Sequence, residues 1–403
     1  MATRSVKDLE CRGKRVLIRV DFNVPLDGGD IVDDRRLKAA LPTIETVLRG
    51  GGLPILMSHL GRPGGTGPEL PYSMRPVAER LQKLLGAAHQ VRFVEGACSG
   101  EAAATATSAA NPGDVILLDN LRFESGEKKN DPVLSASIAA LGDAYVDDAF
   151  GTAHRAHASM VGVPEAMQDR PRVAGLLLEK EIHYLADVLA NPQQPFIAIL
   201  GGAKVSDKLA AIRNLLPKVD AVMVGGAMAY TFMAARGDGT GSSLVECDMV
   251  DMASELLSQA VDASTTLLLP LDHTCAESIG DNVATRTCEL GIPPGWMGLD
   301  IGPETLADWT TRILQARTVV WNGPVGVFEQ RPFDTGTVGL AKALARATHS
   351  HRAVTVVGGG ETAAAIERAG VADRISHVST GGGASLRMLE GAELPALASL
   401  ETQ

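Results

Sequence analysis

The chain has 403 residues, of which 45% are apolar and 21% charged, and this length suggests two to three domains with large cores. Its net charge of −11 argues against general binding to nucleic acid or to anionic membranes. Five scattered cysteines without a C-x-x-C pair indicate neither a disulfide framework nor a zinc site. They favour a reducing compartment, which we expect to be the cytoplasm.

Apolar runs that predict buried strands alternate along the chain with stretches that predict helices. The strands are expected at 16–20, 53–57, 115–118 and 144–146 in the first half, and at 196–200, 221–224, 266–269, 319–321 and 354–357 in the second. The helices are expected at 36–49, 75–85, 176–189, 207–216, 248–260 and 361–369. This alternation is typical of parallel sheets, so we predict an α/β fold with two doubly wound, Rossmann-like domains. Ligands of such folds bind outside the carboxyl ends of the strands.

Charged and polar side chains follow the predicted strands of the first half: Asp21, Asn23, His59, Arg62, Arg122 and Arg155. Arginine binds a phosphate or carboxylate through two parallel hydrogen bonds, so this set suits a small phosphate ester. Each motif alone also fits a simpler structure, namely a turn after the first strand, a surface loop at 58–63, or a surface ion pair at Arg122. His154 and His157 suggest zinc, but no third ligand is obvious, so anion contacts or polar packing fit them better.

Glycine clusters follow the apolar runs of the second half, at 201–202, 358–360 and 381–383. Such turns open helices whose bare backbone N–H groups and dipole suit the phosphates of a nucleotide. The first cluster is not a Walker A loop, but it places Lys204 and Lys208 four residues apart, on what would be one helix face. Glu361, directly after a triple glycine, suits Mg²⁺ beside those phosphates. The pair Gly225-Gly226 is weaker evidence, because close helix packing explains it equally well.

Several long motifs resemble those of phosphoglycerate kinases. They are RVDFNVP at 19–25, SHLGRP at 58–63, DAFGTAHRAH at 148–157, GWMGLD at 295–300, WNGPVGVFE at 321–329 and STGGGASL at 379–386. The resemblance covers residues 15 to 391 in family order. It implies two Rossmann-like domains facing across a cleft. It also implies transfer of the acyl phosphate of 1,3-bisphosphoglycerate to ADP, giving 3-phosphoglycerate and ATP, reversibly and in line, with Mg²⁺ and domain closure.

The resemblance also implies roles for individual residues. The expected catalytic residues are Arg36, Lys204 and Gly382. The expected substrate-binding residues are Asp21, Phe22, Asn23, Arg36, His59, Leu60, Gly61, Arg62, Arg122 and Arg155. The expected nucleotide-binding residues are Lys204, Lys208, Gly225, Gly298, Asn322, Glu329, Gly359, Gly360, Glu361 and Thr362, and Glu361 is also the expected metal ligand.

The expected division of the chain has its boundary near 172–175, before the helix predicted at 176–189. Residues 1–172 would bind phosphoglycerate and residues 173–390 the nucleotide, with an interdomain helix at 173–190. A C-terminal tail at 391–403 would pack back on the first domain. We expect a cytoplasmic monomer whose partners are phosphoglycerate and adenine nucleotide, without nucleic acid or membrane.

Three residues depart from the family's usual pattern. Glu361 stands where aspartate is usual, Asp147 where asparagine is common, and Arg387 where glutamate is frequent. The longer arm of Glu361 would shift the metal or hold it through a water. These departures keep one alternative open, a non-catalytic phosphate-binding scaffold, which would show no ADP/ATP turnover. A dinucleotide-dependent dehydrogenase is a second alternative, but no G-x-G-x-x-G follows the first strand.

Overall fold

The computed structural model describes residues 3–96, 98–289 and 291–401. Residues 1, 2, 97, 290, 402 and 403, which fall within the expected domains and tail, lie outside this description. The chain forms two compact units. Unit 1 contains the described residues up to His183 and those from Glu393 onward, whereas unit 2 is the continuous segment Tyr184–Ala392.

Unit 1 is built on a six-stranded sheet and a two-stranded hairpin. Its strands are β1 (Arg15–Val20), β2 (Leu26–Asp27), β3 (Asp30–Ile31), β4 (Leu53–Met57), β5 (Val91–Val94), β6 (Val115–Leu118), β7 (Ala144–Asp148) and β8 (Arg172–Ala174). The sheet has the order β5-β6-β4-β1-β7-β8, and every neighbouring pair is parallel. The central strands are buried on both faces, which explains why they read as continuous apolar runs.

Six α-helices occur in the described part of unit 1 that ends at His183. They are α1 (Arg35–Arg49), α2 (Arg75–Leu85), α3 (Gly100–Ser108), α4 (Pro132–Ala139), α5 (Val163–Glu165) and α6 (Leu176–Ile182). α1 is amphipathic, and it buries Leu37, Ile44 and Val47 against the sheet. The helix expected to begin at 173 begins at Leu176 instead, because 172–174 pair with β7 as strand β8. A π-helical turn at His183–Asp187 then continues the chain from α6 into α7 (Val188–Ala190).

Unit 2 contains a second six-stranded sheet and a smaller one. Its strands are β9 (Phe196–Leu200), β10 (Ala221–Val224), β11 (Thr266–Leu268), β12 (His273–Ala276), β13 (Arg286–Cys288), β14 (Met297–Ile301), β15 (Thr318–Asn322), β16 (Val354–Gly358) and β17 (His377–Val378). The larger sheet is parallel, with the order β11-β10-β9-β15-β16-β17. This order is that of a doubly wound dinucleotide-type fold, whose ligand crevice lies where the winding reverses, between β9 and β15.

The helices of unit 2 cover both faces of this sheet. After α7 they are α8 (Leu209–Leu215), α9 (Met228–Arg236), α10 (Val250–Asp262), α11 (Pro303–Gln315), α12 (Thr335–His351), α13 (Gly360–Arg368) and α14 (Gly382–Leu389). Trp309, Trp321 and Leu344 lie in the apolar core between sheet and helices. The prediction of two doubly wound α/β domains is therefore confirmed. None of the described helices is both long and apolar enough to cross a membrane.

The chain returns to unit 1 after α14. The short helix α15 (Pro395–Ala398) lies in this segment, and the Ala396 amide donates to the Ala153 carbonyl at 3.3 Å. Near the end of the described chain, Glu401 forms a 3.0 Å ion pair with Arg4. Unit 1 is therefore assembled from two segments that are separated in sequence by the whole of unit 2.

Candidate active site

In unit 1, the charged side chains expected to bind an anion follow the carboxyl ends of β1, β4, β6 and β7. These four strands are neighbours in the sheet, so the loops that follow them converge. The charged groups around His59 belong to several of these loops, which shows that the loops converge. Burial, and then the positive charges of Arg19, Arg122, Arg155 and Arg36, hold the pKa of its imidazole well below the ordinary value.

Arg36, in the first turn of α1, is held by the carboxylate of Asp21. The NH1 group donates to Asp21 Oδ2, and the Asp21 side chain is only 9% exposed. The guanidinium keeps 34% of its surface exposed, so part of it stays available to a ligand. Asp21 therefore orients Arg36. Its carboxylate would repel an anionic ligand, so we do not expect it to bind the ligand directly.

A chain of hydrogen bonds links three of the converging loops through Gly61. Its amide donates to Asn23 Oδ1 at 2.8 Å, and its carbonyl accepts from Arg122 NH1 at 2.6 Å. Gly61 has a φ of +61°, and a Cβ there would meet the ring of Tyr72. Both backbone groups of Gly61 are therefore occupied within the protein, and its role here is to fix Asn23 and Arg122.

The arginines differ in how firmly the protein holds them. Burial, with smaller contributions from Arg155 and Arg19, lowers the pKa of Arg122 to about 10, which still leaves it charged at neutral pH. Arg155 donates from Nε to His154 Nε2 at 3.2 Å. Arg62 is exposed and makes no ion pair with any other described residue. Arg62 and the outer part of Arg155 are thus the most available cations of this set.

Two of the expected substrate-binding side chains point away from solvent. Phe22 is fully buried and Leu60 is 2% exposed, and both belong to the core of unit 1. The Phe22 amide donates to Ser58 Oγ at 2.9 Å, and the Leu60 carbonyl accepts from Asn120 Nδ2 at 2.6 Å. These residues pack the loops that carry their neighbours, rather than offering side chains to a ligand.

Asp147, one of the departures from the family's pattern, lies at the end of β7 beside another buried carboxylate. It is fully buried, and Oδ1 accepts from the Ala149 amide at 2.9 Å. Burial raises its pKa to about 6, and burial raises that of Asp148 to about 7. Asp148 Oδ1 accepts the amides of Leu177 and Leu178 in the first turn of α6. The pair therefore belongs to the framework behind the cationic loops.

In unit 2, a cavity of about 600 Å³ opens at the carboxyl ends of the sheet. Apolar side chains line much of it, among them Leu244, Ile279, Met297 and Val327. Polar groups line the rest: Tyr230, Ser243, Glu329 and Glu361, with the glycines Gly202, Gly226 and Gly298. Such a lining suits a flat, largely apolar ring system with a polar substituent.

The floor of this cavity lies at the reversal of winding between β9 and β15. The Gly201 amide donates to the Asn322 carbonyl at 3.0 Å, and the Gly202 amide donates to the Pro324 carbonyl, also at 3.0 Å. A Cβ on Gly201 would overlap the Pro324 carbonyl oxygen and lie 2.6 Å from that of Gly323. Glycine is required here because the two loops touch backbone to backbone.

Two helix N-termini meet beside the cavity. α13 begins at Gly360 and α14 at Gly382, and a Cβ on Gly382 would lie 3.1 Å from the Gly360 amide nitrogen. The hydroxyl of Thr362 is buried and accepts from the Gly323 amide at 2.7 Å, which fastens α13 to the β15 loop. Two adjacent helix N-termini present unpaired N–H groups and positive dipole ends to one anion.

The two predicted lysines occupy different environments. Lys208 is partly buried, and its Nζ donates to Asn322 Oδ1. Burial lowers its pKa, although the carboxylates of Asp207, Glu361 and Glu390 act in the opposite direction. Lys204 is exposed in the loop before α8, and therefore the two lysines do not share a helix face as the spacing suggested.

Gly225 lies in close contact with a neighbouring loop. It is buried, its amide donates to the Leu200 carbonyl at 2.9 Å, and a Cβ there would lie 2.6 Å from Val325 Cγ1. Gly226, not Gly225, lines the cavity. Close packing therefore explains Gly225, whereas Gly298 and Glu329 lie on the cavity wall as the nucleotide assignment requires.

Glu361 is the acidic residue of the first turn of α13, and its exposed side chain lies at the cavity. No cluster of three or more histidine, cysteine, aspartate or glutamate side chains suited to a metal occurs among the residues described. This arrangement excludes an all-protein metal cage in the described structure. It fits Mg²⁺ held by one carboxylate, nucleotide phosphates and water, which is how Mg²⁺ is commonly bound.

Sequence reasoning missed three residues of these sites. Arg19 is completely buried beneath His59, Tyr230 lines the cavity, and Ser243 Oγ accepts from the Gly298 amide at 2.9 Å. Arg19 lay within a recognised motif, but nothing in the sequence distinguishes a buried arginine from an exposed one. Tyr230 and Ser243 carried no spacing signal.

Three comparisons with known proteins point to one family. The family model for phosphoglycerate kinase matches residues 6–392. The chain is 50% identical over its full length to the phosphoglycerate kinase of Chloroflexus aurantiacus, covering 99% of that protein. It is 52% identical to that of Rubrobacter xylanophilus, covering 99% of this chain and 98% of the relative. The solved structure of the phosphoglycerate kinase of Coxiella burnetii is similar, with a TM-score of 0.88 and 38% sequence identity, and the match covers 98% of each chain.

Proposed function

Because the chain belongs to the phosphoglycerate kinase family and catalyses phosphoryl transfer between 1,3-bisphosphoglycerate and ADP, giving 3-phosphoglycerate and ATP, we propose that each unit binds one substrate. Unit 1 binds phosphoglycerate and unit 2 binds the nucleotide. One observation carries this assignment. The convergent arginines lie in unit 1, whereas the 600 Å³ cavity and the paired helix N-termini lie in unit 2.

The phosphoglycerate site is formed by the cationic loops. Arg62 offers an exposed guanidinium and Arg155 a half-buried one to the phosphate, while Asn23 and His59 supply neutral hydrogen-bonding groups. Phosphoglycerate carries several negative charges, and bidentate arginine is the side chain best suited to them. Arg36 is the cation we assign to the transferring group, since Asp21 orients it while leaving it accessible.

The nucleotide site is formed by the cavity and the glycine turns. The apolar wall accommodates the base, and Glu329 accepts hydrogen bonds from the ribose. The N-termini of α13 and α14 bind the phosphates, with Gly382 at the group in transfer and Lys204 reaching it from its exposed loop. Asn322 holds Lys208 toward the same phosphates.

The reaction requires little proton chemistry from the protein. In the direction that consumes ATP, the nucleophile is the carboxylate of 3-phosphoglycerate, which is ionised at neutral pH and needs no general base. Arg36, Lys204 and the N–H groups at Gly382 stabilise charge on the transferring group in an in-line displacement. Direct transfer also requires the reacting atoms of both ligands to meet with water excluded, so we propose that ligand binding closes the units together.

Mg²⁺ is the cofactor we assign to the nucleotide site, with Glu361 as its protein ligand. When bound, it would neutralise phosphate charge. Replacing Glu361 with glutamine is expected to raise the half-saturating Mg²⁺ concentration and lower turnover, because the amide carries no charge for the cation. Replacement with aspartate restores the family's usual residue and should keep activity. A Mg²⁺ titration of steady-state turnover measures both effects.

Glu367, near the other end of α13, provides the matched control, and Glu367→Gln should leave the Mg²⁺ dependence unchanged. A carboxylate at a helix N-terminus also stabilises the helix by about 0.3–1 kcal/mol. If Glu361→Gln lowers only the melting temperature and leaves the Mg²⁺ titration as in the parent, Glu361 is a helix-end charge and not a metal ligand.

The assignment of substrates to units predicts selective losses of affinity. Arg62→Ala or Arg155→Ala should raise the Kd for 3-phosphoglycerate by roughly 10- to 150-fold, the equivalent of a hydrogen bond to a charged group. The Kd for ATP should change little, because these residues lie in the other unit. Isothermal titration calorimetry with each ligand separately measures both constants.

Arg49→Ala serves as the control for loss of one positive charge, because Arg49 is exposed at the last turn of α1. It should alter neither Kd. Equal weakening of 3-phosphoglycerate and ATP by Arg155→Ala would contradict the assignment.

We also propose that the enzyme works as a cytoplasmic monomer without nucleic-acid or membrane partners. The net charge of −11 opposes binding to polyanions. Every residue assigned above to one substrate lies within one unit of one chain, so catalysis needs no second copy.

A further inference from the structure

Arg19, at the end of β1, is a completely buried cation that the reaction outlined above does not use. A buried charge is costly unless it is hydrogen-bonded and compensated. Its guanidinium donates from Nε to Ser159 Oγ at 2.9 Å, and from NH1 to the carbonyl of Val20. Its third contact joins NH2 to Nδ1 of His59 at 3.1 Å.

This last contact determines which ring nitrogen of His59 carries the proton. A guanidinium has donors only, so Nδ1 of His59 must be the acceptor. In a neutral imidazole with an unprotonated Nδ1, the hydrogen lies on Nε2. No hydrogen bond occupies Nε2 of His59 among the described residues, so its N–H is left for a ligand.

The surroundings keep the ring neutral. The cations that face His59 are Arg19 on β1, Arg36 on α1, Arg122 after β6 and Arg155 after β7. Together with burial they oppose a further positive charge on the imidazole. A neutral imidazole has one protonated and one unprotonated nitrogen, so Nδ1 can accept from Arg19 at neutral pH while Nε2 carries the hydrogen.

A buried carboxylate compensates Arg19 from the opposite side. Glu127 is fully buried, and its Oε1 accepts from Ser159 Oγ at 2.7 Å, so one hydroxyl connects the cation with the anion. Burial alone would raise the pKa of Glu127, but the hydrogen bonds of His157 and Ser159 and the charge of Arg19 lower it. Glu127 therefore stays ionised, while Asp147 on β7 is the other acidic group near Arg19.

We propose that Arg19 is a positioning residue that fixes His59 as the neutral tautomer protonated on Nε2, so that His59 donates a hydrogen bond to an anionic oxygen of phosphoglycerate. The role of the donor rests on the proposed phosphoglycerate site, but the tautomer does not. His59 thus adds a directional donor to the site without adding a fifth positive charge to four crowded arginines.

The tautomer is measurable without any ligand. In ¹⁵N spectra of histidine-labelled enzyme, a protonated ring nitrogen is well separated in chemical shift from an unprotonated one, and the signals of His59 are assigned by their loss in His59→Gln. We expect the Nε2-protonated form at neutral pH. A ring protonated on Nδ1, or on both nitrogens, overturns the proposal, and this measurement needs no variant of Arg19 to fold.

Two substitutions of Arg19 separate its donor function from its bulk. Arg19→Lys keeps a charged group with donors only, and should retain the Nε2 tautomer. Arg19→Gln supplies an amide that either donates or accepts, and removes a charge. In this variant His59 should populate both tautomers and titrate at a higher pH, and the Kd for 3-phosphoglycerate should rise about tenfold with that for ATP unchanged. An unaltered tautomer in Arg19→Gln overturns the role of Arg19.

Two substitutions of His59 test the donor itself. The amide nitrogen of His59→Gln reaches the position of Nε2, whereas that of His59→Asn reaches only the position of Nδ1. We expect glutamine to keep most of the affinity for 3-phosphoglycerate and asparagine to lose about tenfold. If the tautomer is as expected but both variants bind 3-phosphoglycerate like the parent, the assignment of His59 to the substrate site is wrong.

Discussion

Replacing Arg36 with alanine is expected to lower turnover by about 100- to 1000-fold, or about 3–4 kcal/mol, while leaving the fold intact. The physical reason is that Arg36, the cation that we assign to the transferring phosphoryl group, is already oriented by Asp21 and needs no reorganisation when charge develops there. Its removal deletes that stabilisation in the transition state. A coupled assay of ATP formation from 1,3-bisphosphoglycerate and ADP measures the loss, and thermal unfolding checks that the fold persists.

Arg35 provides an adjacent control. It is exposed and forms an ion pair with Asp33, and Arg35→Ala should leave turnover close to that of the parent. A turnover of Arg36→Ala within tenfold of the parent would remove Arg36 from the list of catalytic groups. If Arg35→Ala lowered turnover as much as Arg36→Ala, the loss would come from removing any positive charge near α1 and not from a specific role of Arg36.

Replacing Gly201 with alanine is expected to destabilise unit 2 by about 3 kcal/mol or more and to weaken ATP binding. The added methyl would overlap the Pro324 carbonyl oxygen, and both chain segments at this contact are backbone that cannot rotate away. The β9 and β15 loops would have to separate, which displaces the floor of the cavity that we propose binds the nucleotide. Calorimetric unfolding with and without ATP measures both effects.

Gly239→Ala is the matched control for this change. A Cβ there would be 3.6 Å from the Ile292 carbonyl oxygen, an ordinary contact, so its stability should be near that of the parent. A Gly201→Ala variant with the parent's melting temperature would mean that the loops tolerate separation and that the close approach is not required.

The doubly wound sheets could be predicted because their strands are buried on both faces. β1, β6, β9 and β15 appear in the sequence as short, nearly uninterrupted apolar runs, each followed by glycine or polar residues. The three-stranded antiparallel sheet β13-β12-β14 was not predicted. Its strands are short and mix polar with apolar residues, and two of them are only three and four residues long, so no clear alternation marks them.

Residue types predicted the position of the charged and glycine-rich loops better than the burial of each side chain. Arginines and glycines at the ends of strands correctly located the cationic loops and the helix N-termini. The orientation of each side chain depends on its burial, and a sequence motif does not show which of its residues are buried. Phe22 and Leu60 lie in the core, Gly225 packs against Val325, and Arg19 lies beneath the site.

The departures at Glu361, Asp147 and Arg387 raised the alternative of a non-catalytic scaffold. Membership of the phosphoglycerate kinase family, at 50% identity over the whole chain, removes that alternative and the dehydrogenase as well. Arg387 is engaged locally, since it forms a 2.9 Å ion pair with Glu390 one turn further along α14. Its positive charge is thereby partly neutralised within the helix, away from the Gly382 end.

The two-segment composition of unit 1 has a consequence for synthesis on the ribosome. Unit 2 is continuous in sequence, and all of it is translated before the C-terminal segment of unit 1. Unit 1, although mostly translated first, lacks the hydrogen bond to Ala153 and the ion pair to Arg4 until Ala396 and Glu401 have been made. The unit that begins the chain is therefore completed only after every residue of the other unit has been synthesised.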